Sequence, residues 1–561
     1  MKRELLCTAA NALWMLSCVP ESLAFRRATL NVRGTQWRLL SRVLQQNAGT
    51  EYGQRFGFAS IRSVADYQAR VPLTTYEAYR DAVERIGVGE KGILTSEAVR
   101  LFEPTSGSTA ATKFIPYTAT LQAEFQRAIA PWIVDLFRHE PRLLRGEAYW
   151  SISPVTRADE RTPGGIPIGF EEDSEYLGRW QSALIRSFQV VPSEVRWIHD
   201  MEAFRYVTLL FLLRSRSLAL ISVWNPTFLT LLVDHLADWW MPLARDIERG
   251  TLSPPTSIDG DLHESLRSAN DADPQRAAEI RTIFSADAPA GTIHTRLWPN
   301  LRLISCWADG HAATYVPEVA RHFPQVRIQG KGVIATEGFV SFPLIGYPGA
   351  ALAIRSHFFE FLPEEELEIE GSVPLLAHEL ERDSVYSIIL TTGGGLYRYR
   401  LQDLVEVVGH LGECPLLRFV GKEALVSDRF GEKVNERHVR HALDTLFAHH
   451  GLHPTFAMLA CTAERNRHAY TLFIEVDGVP DARLAPLAEE LEAALVENFH
   501  YRYCRDLEQL APVRLFRIAS HAWETYLSVC RAEGQRAGDI KPVALHRWGG
   551  WPEVFRQEVI R

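Results

Sequence analysis

The chain has 561 residues, of which 46% are hydrophobic and 23% charged, which is typical of a globular protein. This length predicts two to four domains and a core large enough to fold without disulfides or a structural metal. The net charge of −9 argues against a nucleic-acid or anionic-membrane partner, because both favour a basic face. The seven cysteines are scattered and contain no C-x-x-C pair, which favours buried, reduced thiols in a cytoplasmic protein.

The N-terminal segment faintly resembles a signal peptide, because basic residues precede the apolar Leu5 and Leu6. Glu4 and Asn11 interrupt that pattern, and no clean cleavage site follows. Apolar residues continue among arginines from Phe25 to Val43, which predicts an amphipathic helix instead. No run of about 18 apolar residues occurs, which argues against a membrane-spanning helix. The apolar stretch 204–213 is short and is predicted to be a core helix.

The first 420 residues mix long helical patterns with short strand-like runs, and this alternation predicts an α/β fold. Strands are predicted at residues 302–306, 326–329 and 387–392. The pattern changes near Gly421, so we predict a large N-terminal domain, 1–420, and a small C-terminal α/β domain, 421–561.

The C-terminal part has a clear sequence of predicted elements. Asn435 can cap a helix that Gly451 ends, and apolar residues recur on one face between them. The predicted helices are 436–449 and 484–499, and the predicted strands are 456–461, 470–476 and 513–518.

A loop rich in hydroxyl groups is the first candidate for chemistry. It contains, in order, Ser106, Gly107, Ser108 and Thr109, and Lys113 follows. Backbone N–H groups and hydroxyls on such a loop can bind phosphate oxygens, and lysine adds a positive charge. The spacing differs from G-x-x-x-x-G-K-[ST]. Taken alone, this composition is more typical of a polar surface turn.

A second candidate lies at residues 332–338, where an apolar run ends in Thr336 and Glu337. A carboxylate beside a triphosphate can hold Mg²⁺, which prefers oxygen ligands shared with phosphates. Taken alone, the pattern is more typical of a turn at a strand end with a solvated glutamate.

A third candidate is the alternating run that starts at Tyr397. Strand geometry would direct Tyr397 and Tyr399 to one face and Arg398 and Arg400 to the other. Asp403, just after this run, can accept hydrogen bonds from both hydroxyls of a ribose. An edge strand with its charges in water is an equally good interpretation. Further along, a glycine-bearing loop presents Lys541, which alone is more typical of structure than of catalysis.

Other motifs in the chain argue against other enzyme classes. Residues 87–92 satisfy G-x-G-x-x-G but follow a helical run, whereas a dinucleotide site needs strand, loop and helix. The glycines at 393–395 are interpreted as a tight turn. The sequence has no G-x-S-x-G and no H-E-x-x-H, which argues against a serine hydrolase of that type and against a zinc hydrolase.

The order of these segments resembles the adenylate-forming superfamily, and within it the auxin-responsive Gretchen-Hagen family of acyl-acid-amido synthetases, in its microbial branch. The residues that carry the resemblance are 105–109, 113–116, 335–338, 358–363 and 397–400 with Asp403. The segments 358–363 and 397–400 separate this family from ordinary acyl-CoA ligases. The resemblance covers essentially the whole chain. Plant members usually carry two serines in place of Ala335 and Thr336.

The resemblance implies a large adenylate-forming domain, a small mobile C-terminal domain and a role for each matching residue. The ATP-binding residues implied are Ser106, Gly107, Ser108, Thr109, Lys113, Ala335, Thr336, Glu337, Tyr397 and Asp403. Glu337 is also the implied Mg²⁺ ligand and, with Lys541, a catalytic residue. The implied acyl-binding residues are Ile115, Thr118 and Trp307.

The resemblance further implies a two-step reaction. ATP and a carboxylic acid form an acyl-adenylate and pyrophosphate, and an amine, typically of an amino acid, then attacks to give an amide and AMP. The alternatives are an acyl-CoA ligase that shares the first step and a catalytically silent scaffold. We expect a monomer that binds ATP, Mg²⁺, a small carboxylic acid and an amine, with no nucleic-acid or membrane partner.

Overall fold

The structure of the protein is a computed structural model. It describes residues 2–105, 113–151, 160–169, 179–285, 292–367, 369, 371–423, 426–427, 430, 432–464, 467–507, 509–532, 535 and 540–555.

The chain forms two compact units. The first consists of Met1–Asp309, Val316–Leu401 and Val405–Phe419. The second consists of Gly310–Tyr315, Gln402–Leu404 and Val420–Arg561, so two short segments from the earlier part of the chain belong to it. The division into uninterrupted domains 1–420 and 421–561 remains a prediction.

Both helices and strands are present throughout. The α-helices of the described residues are α1 Lys2–Ala28, α2 Val32–Asn47, α3 Glu51–Arg55, α4 Val64–Arg70, α5 Arg80–Gly87, α6 Ala119–His139, α7 Arg179–Phe188, α8 Met201–Arg214, α9 Pro226–Asp234, α10 Leu236–Arg249, α11 Gly260–Ser268, α12 Pro274–Ser285, α13 Ile293–Leu297, α14 Val316–His322, α15 Glu436–His450, α16 Asp481–Val496, α17 Phe499–Asp506, α18 Ala522–Ala532 and α19 Trp551–Phe555. The strands are β1 Leu101–Thr105, β2 Lys113–Tyr117, β3 Glu147–Trp150, β4 Leu218–Ser222, β5 Leu303–Cys306, β6 Arg327–Gly330, β7 Ile334–Ala335, β8 Gly338–Phe339, β9 Ser341–Pro343, β10 Ala350–Leu352, β11 Phe358–Pro363, β12 Leu375–Leu376, β13 Val385–Thr391, β14 Tyr399–Leu411, β15 Cys414–Lys422, β16 Val426–Ser427, β17 Val434–Asn435, β18 Phe456–Glu464, β19 Arg467–Glu475, β20 Leu510–Arg517 and β21 Leu545–His546.

The first unit contains a parallel sheet in the order β3-β4-β5-β6, with each adjacent pair parallel. All four residues of β5 are buried, which is expected of a strand covered on both faces. A seven-stranded sheet has the order β12-β11-β13-β14-β15-β10-β9. The predicted strands at 302–306, 326–329 and 387–392 are confirmed as β5, β6 and β13, and the predicted core helix is α8, so the α/β class is confirmed.

The N-terminal helix α1 packs against α6. Its buried face includes Cys7, Trp14, Cys18 and Phe25. The Trp14 ring meets the Phe137 ring of α6 edge-on, with centroids 6.1 Å apart. The amphipathic helix predicted through residues 25–43 is divided in two, because α1 ends at Ala28 and α2 begins at Val32. None of the helices formed by the described residues combines the length and apolar character needed to cross a membrane.

All seven cysteines are buried and none forms a disulfide, as predicted. Burial raises the pKa of the Cys306 thiol to about 12 and that of the Cys7 thiol to about 11. These two thiols are therefore protonated and poorly reactive at neutral pH.

The second unit is built on the sheet β20-β19-β18-β21. Helices α15 and α16 bury apolar stripes against one cluster of side chains, in which Leu443 and Leu487 take part. Asn435 caps α15 by accepting from His438 N, and Gly451 ends it with φ of 59°, both as predicted. The predicted helix 484–499 ends earlier, at Val496, because the Asn498 side chain accepts from two backbone N–H groups and starts α17.

Candidate active site

The flanks of the hydroxyl-rich loop are two strands of one hairpin. Ser106, Gly107, Ser108 and Thr109 lie outside the described residues. Strands β1 and β2 pair antiparallel on either side of them, with Thr105 opposite Lys113. The Lys113 ammonium lies 5.9 Å from the centre of the Tyr76 ring. Ile115, a predicted acyl-binding residue, is fully buried and lies opposite Glu103.

Glu337 and Thr336 form the two-residue turn between β7 and β8. The Tyr399 hydroxyl donates to Glu337 Oε1 at 3.0 Å, and the Tyr117 hydroxyl donates to Thr336 O at 2.7 Å. Two tyrosines from other strands therefore fix the tip of this hairpin. The Glu337 carboxylate is 7% exposed, and Oε2 accepts no hydrogen bond from the described residues. That oxygen fits a hard cation such as Mg²⁺.

The base of the same hairpin is held by a buried histidine. His357 Nε2 accepts from Phe339 N at 3.0 Å, which leaves the proton on Nδ1. Nδ1 lies 3.0 Å from Glu124 Oε2, and Glu124 also accepts from Gly393 N. A single carboxylate of α6 thus connects the Glu337 hairpin to the predicted tight turn at 393–395. Glu124 and His357 were not found from the sequence, because they are 233 residues apart and belong to no local motif.

Thr118 has a structural position at the start of α6. Its hydroxyl accepts from Leu121 N as the helix cap and donates to Gly393 O at 3.1 Å. The residue is 1% exposed. With one donated and one accepted bond, the hydroxyl links the start of α6 to the Gly393 turn, and the acyl-binding role of Thr118 stays a prediction.

The side chains of the two tyrosines in the alternating run, Tyr397 and Tyr399, contact different parts of the first unit. The Tyr397 ring is completely buried and stacks on Tyr52, and its hydroxyl donates to Leu94 O at 2.7 Å. Burial raises the pKa of this hydroxyl, so it stays a neutral donor. The predicted nucleoside contact of Tyr397 is therefore not matched by the position of its side chain. Tyr399 reaches Glu337 instead.

The reason for this separation is the backbone at Arg398. Its φ of 47° lies in the left-handed region, which interrupts the strand alternation, so β14 begins only at Tyr399. The Arg398 side chain is 4% exposed and pairs with Glu360, which is 1% exposed. The interpretation of this run as an edge strand with its charges in water is thus wrong for Arg398.

Trp307 follows β5 at the carboxyl end of the parallel sheet. Its backbone N–H donates to the Trp224 carbonyl at 2.8 Å, and the centroids of the two indole rings lie 5.7 Å apart. Both rings are half-buried. Ligands of open α/β sheets bind outside the carboxyl ends of the strands, so this pair occupies a suitable place for an acyl group.

Asp403 and Lys541 belong to the second unit. Asp403 is 6% exposed, and its Oδ1 lies 3.2 Å from Lys422 Nζ. Lys541 is exposed, and its carbonyl accepts from the Tyr526 hydroxyl at 3.2 Å. Shortly after it, Ala544 N donates to Glu436 Oε1 at 2.9 Å. Burial raises the pKa of Glu436 to about 7.

Comparison with solved structures defines the class of fold. The structure matches a GH3.15 acyl acid amido synthetase with a TM-score of 0.81 at 20% identity, covering 96% of both chains. It also matches 2-hydroxyisobutyryl-CoA ligase in the postadenylation state, with a TM-score of 0.51 at 12% identity, over 95% of this chain and 90% of that one. The fold is therefore that of adenylate-forming enzymes.

Sequence comparison gives the family. The GH3 family N-terminal domain matches residues 23–328, the central domain 350–422 and the C-terminal domain 437–549. The chain belongs to the GH3 family. Indole-3-acetic acid-amido synthetase GH3.8 of Oryza sativa subsp. indica is 26% identical over 540 residues, which are 91% of this chain and 88% of that protein. Indole-3-acetic acid-amido synthetase GH3.3 of Arabidopsis thaliana is 24% identical over 431 residues, which are 74% and 71% of the two chains.

Proposed function

We propose that this protein uses ATP to convert a carboxylic acid into an acyl-adenylate and then transfers the acyl group to an amine, most naturally that of an amino acid. The observation that carries the proposal is the Glu337 hairpin, which two tyrosine hydroxyls hold in place within a GH3 fold. The two sequence relatives and the GH3.15 protein named above are amido synthetases, which supports amide formation as the second step.

The first step brings two anions together, because a carboxylate attacks the α-phosphate of ATP. Donors and cations must offset their repulsion and the charge that develops at phosphorus. We assign that role to the loop with Ser106, Gly107, Ser108 and Thr109 and to Lys113. Ala335 and Thr336 adjoin the phosphates in this assignment. Glu337 holds Mg²⁺, which supplies further charge neutralisation when bound.

Asp403 is proposed to bind the ribose, and Lys541 to act on the reacting groups from the C-terminal domain, 421–561. A mobile domain can close for one half-reaction and reposition for the other. The free carboxylate is already the nucleophile, so the first step needs no serine–histidine pair. We also propose that the protein acts as a cytoplasmic monomer of microbial origin.

A screen for pyrophosphate release over aromatic, indolic and aliphatic carboxylic acids tests the first step. Release that depends on the acid is expected, and its absence with every acid would favour the silent scaffold. Mass analysis of products with amino acids and, separately, with coenzyme A tests the second step.

The second candidate is an acyl-CoA ligase, which the similarity to 2-hydroxyisobutyryl-CoA ligase favours. That candidate predicts a thioester with coenzyme A and no amide with any amino acid. The higher TM-score with the GH3.15 acyl acid amido synthetase supports the amide instead.

A further inference from the structure

Three buried polar side chains form a row across the parallel sheet of the first unit. Ser222, the last residue of β4, lies opposite Ser305 of β5, and Ser305 lies opposite Gln329 of β6. Residues at the same level of neighbouring strands project to the same face. Their exposed fractions are 6%, 1% and 8%. The row lies one residue or less from the carboxyl ends of these strands.

A buried lysine lies against this row. Lys331 directly follows β6 and is 4% exposed, and its Nζ donates to Ser222 Oγ at 2.7 Å. Strands in a sheet are about 4.8 Å apart, so the side chain reaches past β5 to β4. The ammonium lies 5.1 Å from the centre of the Trp224 ring and 5.8 Å from that of Trp132. Cation–π attraction stabilises a charge that is removed from water.

Ser305 provides an independent observation. Its Oγ is buried and has no hydrogen-bond partner among the described residues. Buried hydroxyls are nearly always hydrogen-bonded in proteins, so this one calls for a ligand or another explanation. It lies between Ser222 and Gln329, and the Gln329 side chain already accepts from Trp132 Nε1 at 3.0 Å.

We propose that Lys331, Ser222 and Ser305 form a carboxylate-binding site, and that the rings of Trp224 and Trp307 contact the planar apolar part of the same ligand. A carboxylate only accepts hydrogen bonds, which suits one ammonium and two hydroxyls. The place is the one where open α/β sheets bind ligands. The inference rests on the proposed function, which involves two carboxylates, that of the acid and that of the amino acid.

Ser305→Ala is the decisive variant, because it deletes one oxygen that has no partner in the described chain. A hydrogen bond to a charged group corresponds to about a tenfold effect or more on affinity. We expect about a tenfold rise in KM for the acid in ATP–pyrophosphate exchange, or in KM for the amino acid in amide formation. KM for ATP and the melting temperature should stay near wild type. Lys331→Met should raise the same KM about 100-fold.

Two matched controls separate this role from a structural one. Thr208→Val removes another buried hydroxyl that has no partner among the described residues, and Arg327→Met removes an exposed charge from β6. Both should leave each KM unchanged. A rise in KM for the acid would show that the acid supplies the carboxylate. A rise in KM for the amino acid would show that the amino acid supplies it.

Unchanged KM values for acid and amino acid in Ser305→Ala, or a change in KM for ATP alone, would overturn the site. If the wild type releases no pyrophosphate with any acid, the proposed function fails separately. Binding of benzoate and indole-3-acetate, followed by tryptophan fluorescence in wild type and Ser305→Ala, then decides the site. Equal affinities, or no binding to the wild type, would overturn it.

Discussion

Glu360 and Arg398 form an ion pair enclosed by protein, with Arg398 Nη2 3.0 Å from Glu360 Oε1 and Nε within 3.2 Å of both carboxylate oxygens. Arg398 Nη1 also donates to the carbonyls of Gln68 and Val71. The pair joins the two segments that distinguish the family in the sequence. Arg398 itself has a left-handed backbone, and β14 begins at the next residue, Tyr399, whose hydroxyl donates to Glu337.

Glu360→Gln should destabilise the first unit by about 3–5 kcal/mol, because the variant leaves a buried guanidinium without its counter-charge. Urea unfolding monitored by tryptophan fluorescence measures the loss. The control is Glu264→Gln, which breaks an exposed surface pair with Arg267 and should leave stability near that of wild type. Equal stabilities of the two variants would contradict a structural role for the buried pair.

Tyr399→Phe should mainly lower activity, whereas Tyr397→Phe should mainly lower stability. Tyr399→Phe frees Glu337 Oε1, so we expect kcat/KM for ATP to fall about tenfold, with a stability change of about 1 kcal/mol. Tyr397→Phe leaves Leu94 O without its buried donor, so stability should fall while kcat/KM stays near wild type. The reverse result would restore Tyr397 as the nucleoside contact predicted from the sequence.

Glu337→Ala and Asp403→Ala should each remove most acid-dependent pyrophosphate release without unfolding the chain. Glu337→Ala removes the proposed oxygen ligand of Mg²⁺, and Asp403→Ala removes the proposed hydrogen-bond acceptor for the ribose. Asp477→Ala, at an exposed turn of the second unit, is the matched control and should be silent. Release at the wild-type rate from either site variant would remove that residue from the active site.

Lys541→Ala should slow turnover and leave ATP binding intact, since the lysine is proposed to act only when its domain is in place. ATP affinity by calorimetry and pyrophosphate release measure the two properties. Lys91→Ala removes an exposed lysine from the first unit and should change neither. An unaltered rate in Lys541→Ala would exclude Lys541 from the reaction.

Glu436 should make the second unit less stable as pH rises. Its carboxyl has a pKa of about 7 in the folded chain against a reference value of 4.5, so the folded state binds more protons between these values. Stability should therefore fall from about pH 5 to about pH 7, by a few kcal/mol at most. Glu436→Gln should flatten this slope in thermal unfolding and match wild type near pH 5. A slope parallel to that of wild type would show that another group is responsible.

The sequence predicted most elements of the second unit, because amphipathic stripes and the caps at Asn435 and Gly451 are local signals. The break before α17 was missed, since the 484–499 stripe continues past the point where Asn498 caps a new helix. Glu337 was chosen as a candidate because an apolar run ends there in a hydroxyl and a carboxylate within a segment that resembles the family, and its catalytic role stays a prediction.

Long-range features of the site could not be read from the sequence. Alternation suggested that Tyr397 and Tyr399 share a face, but a non-glycine residue with positive φ stands between them. The side chain of that residue, Arg398, pairs with Glu360, which lies 38 residues away. Likewise, the histidine that supports the Glu337 hairpin depends on a carboxylate of α6, which no local pattern links to it.

The burial of all seven thiols has a practical consequence for observing the proposed domain motion. Enclosed sulfurs react slowly with maleimide dyes. Cysteines introduced at exposed positions, such as Glu264 in the first unit and Asp477 in the second, should therefore label selectively in an otherwise native background. Energy transfer between the two dyes could then follow the units through both half-reactions.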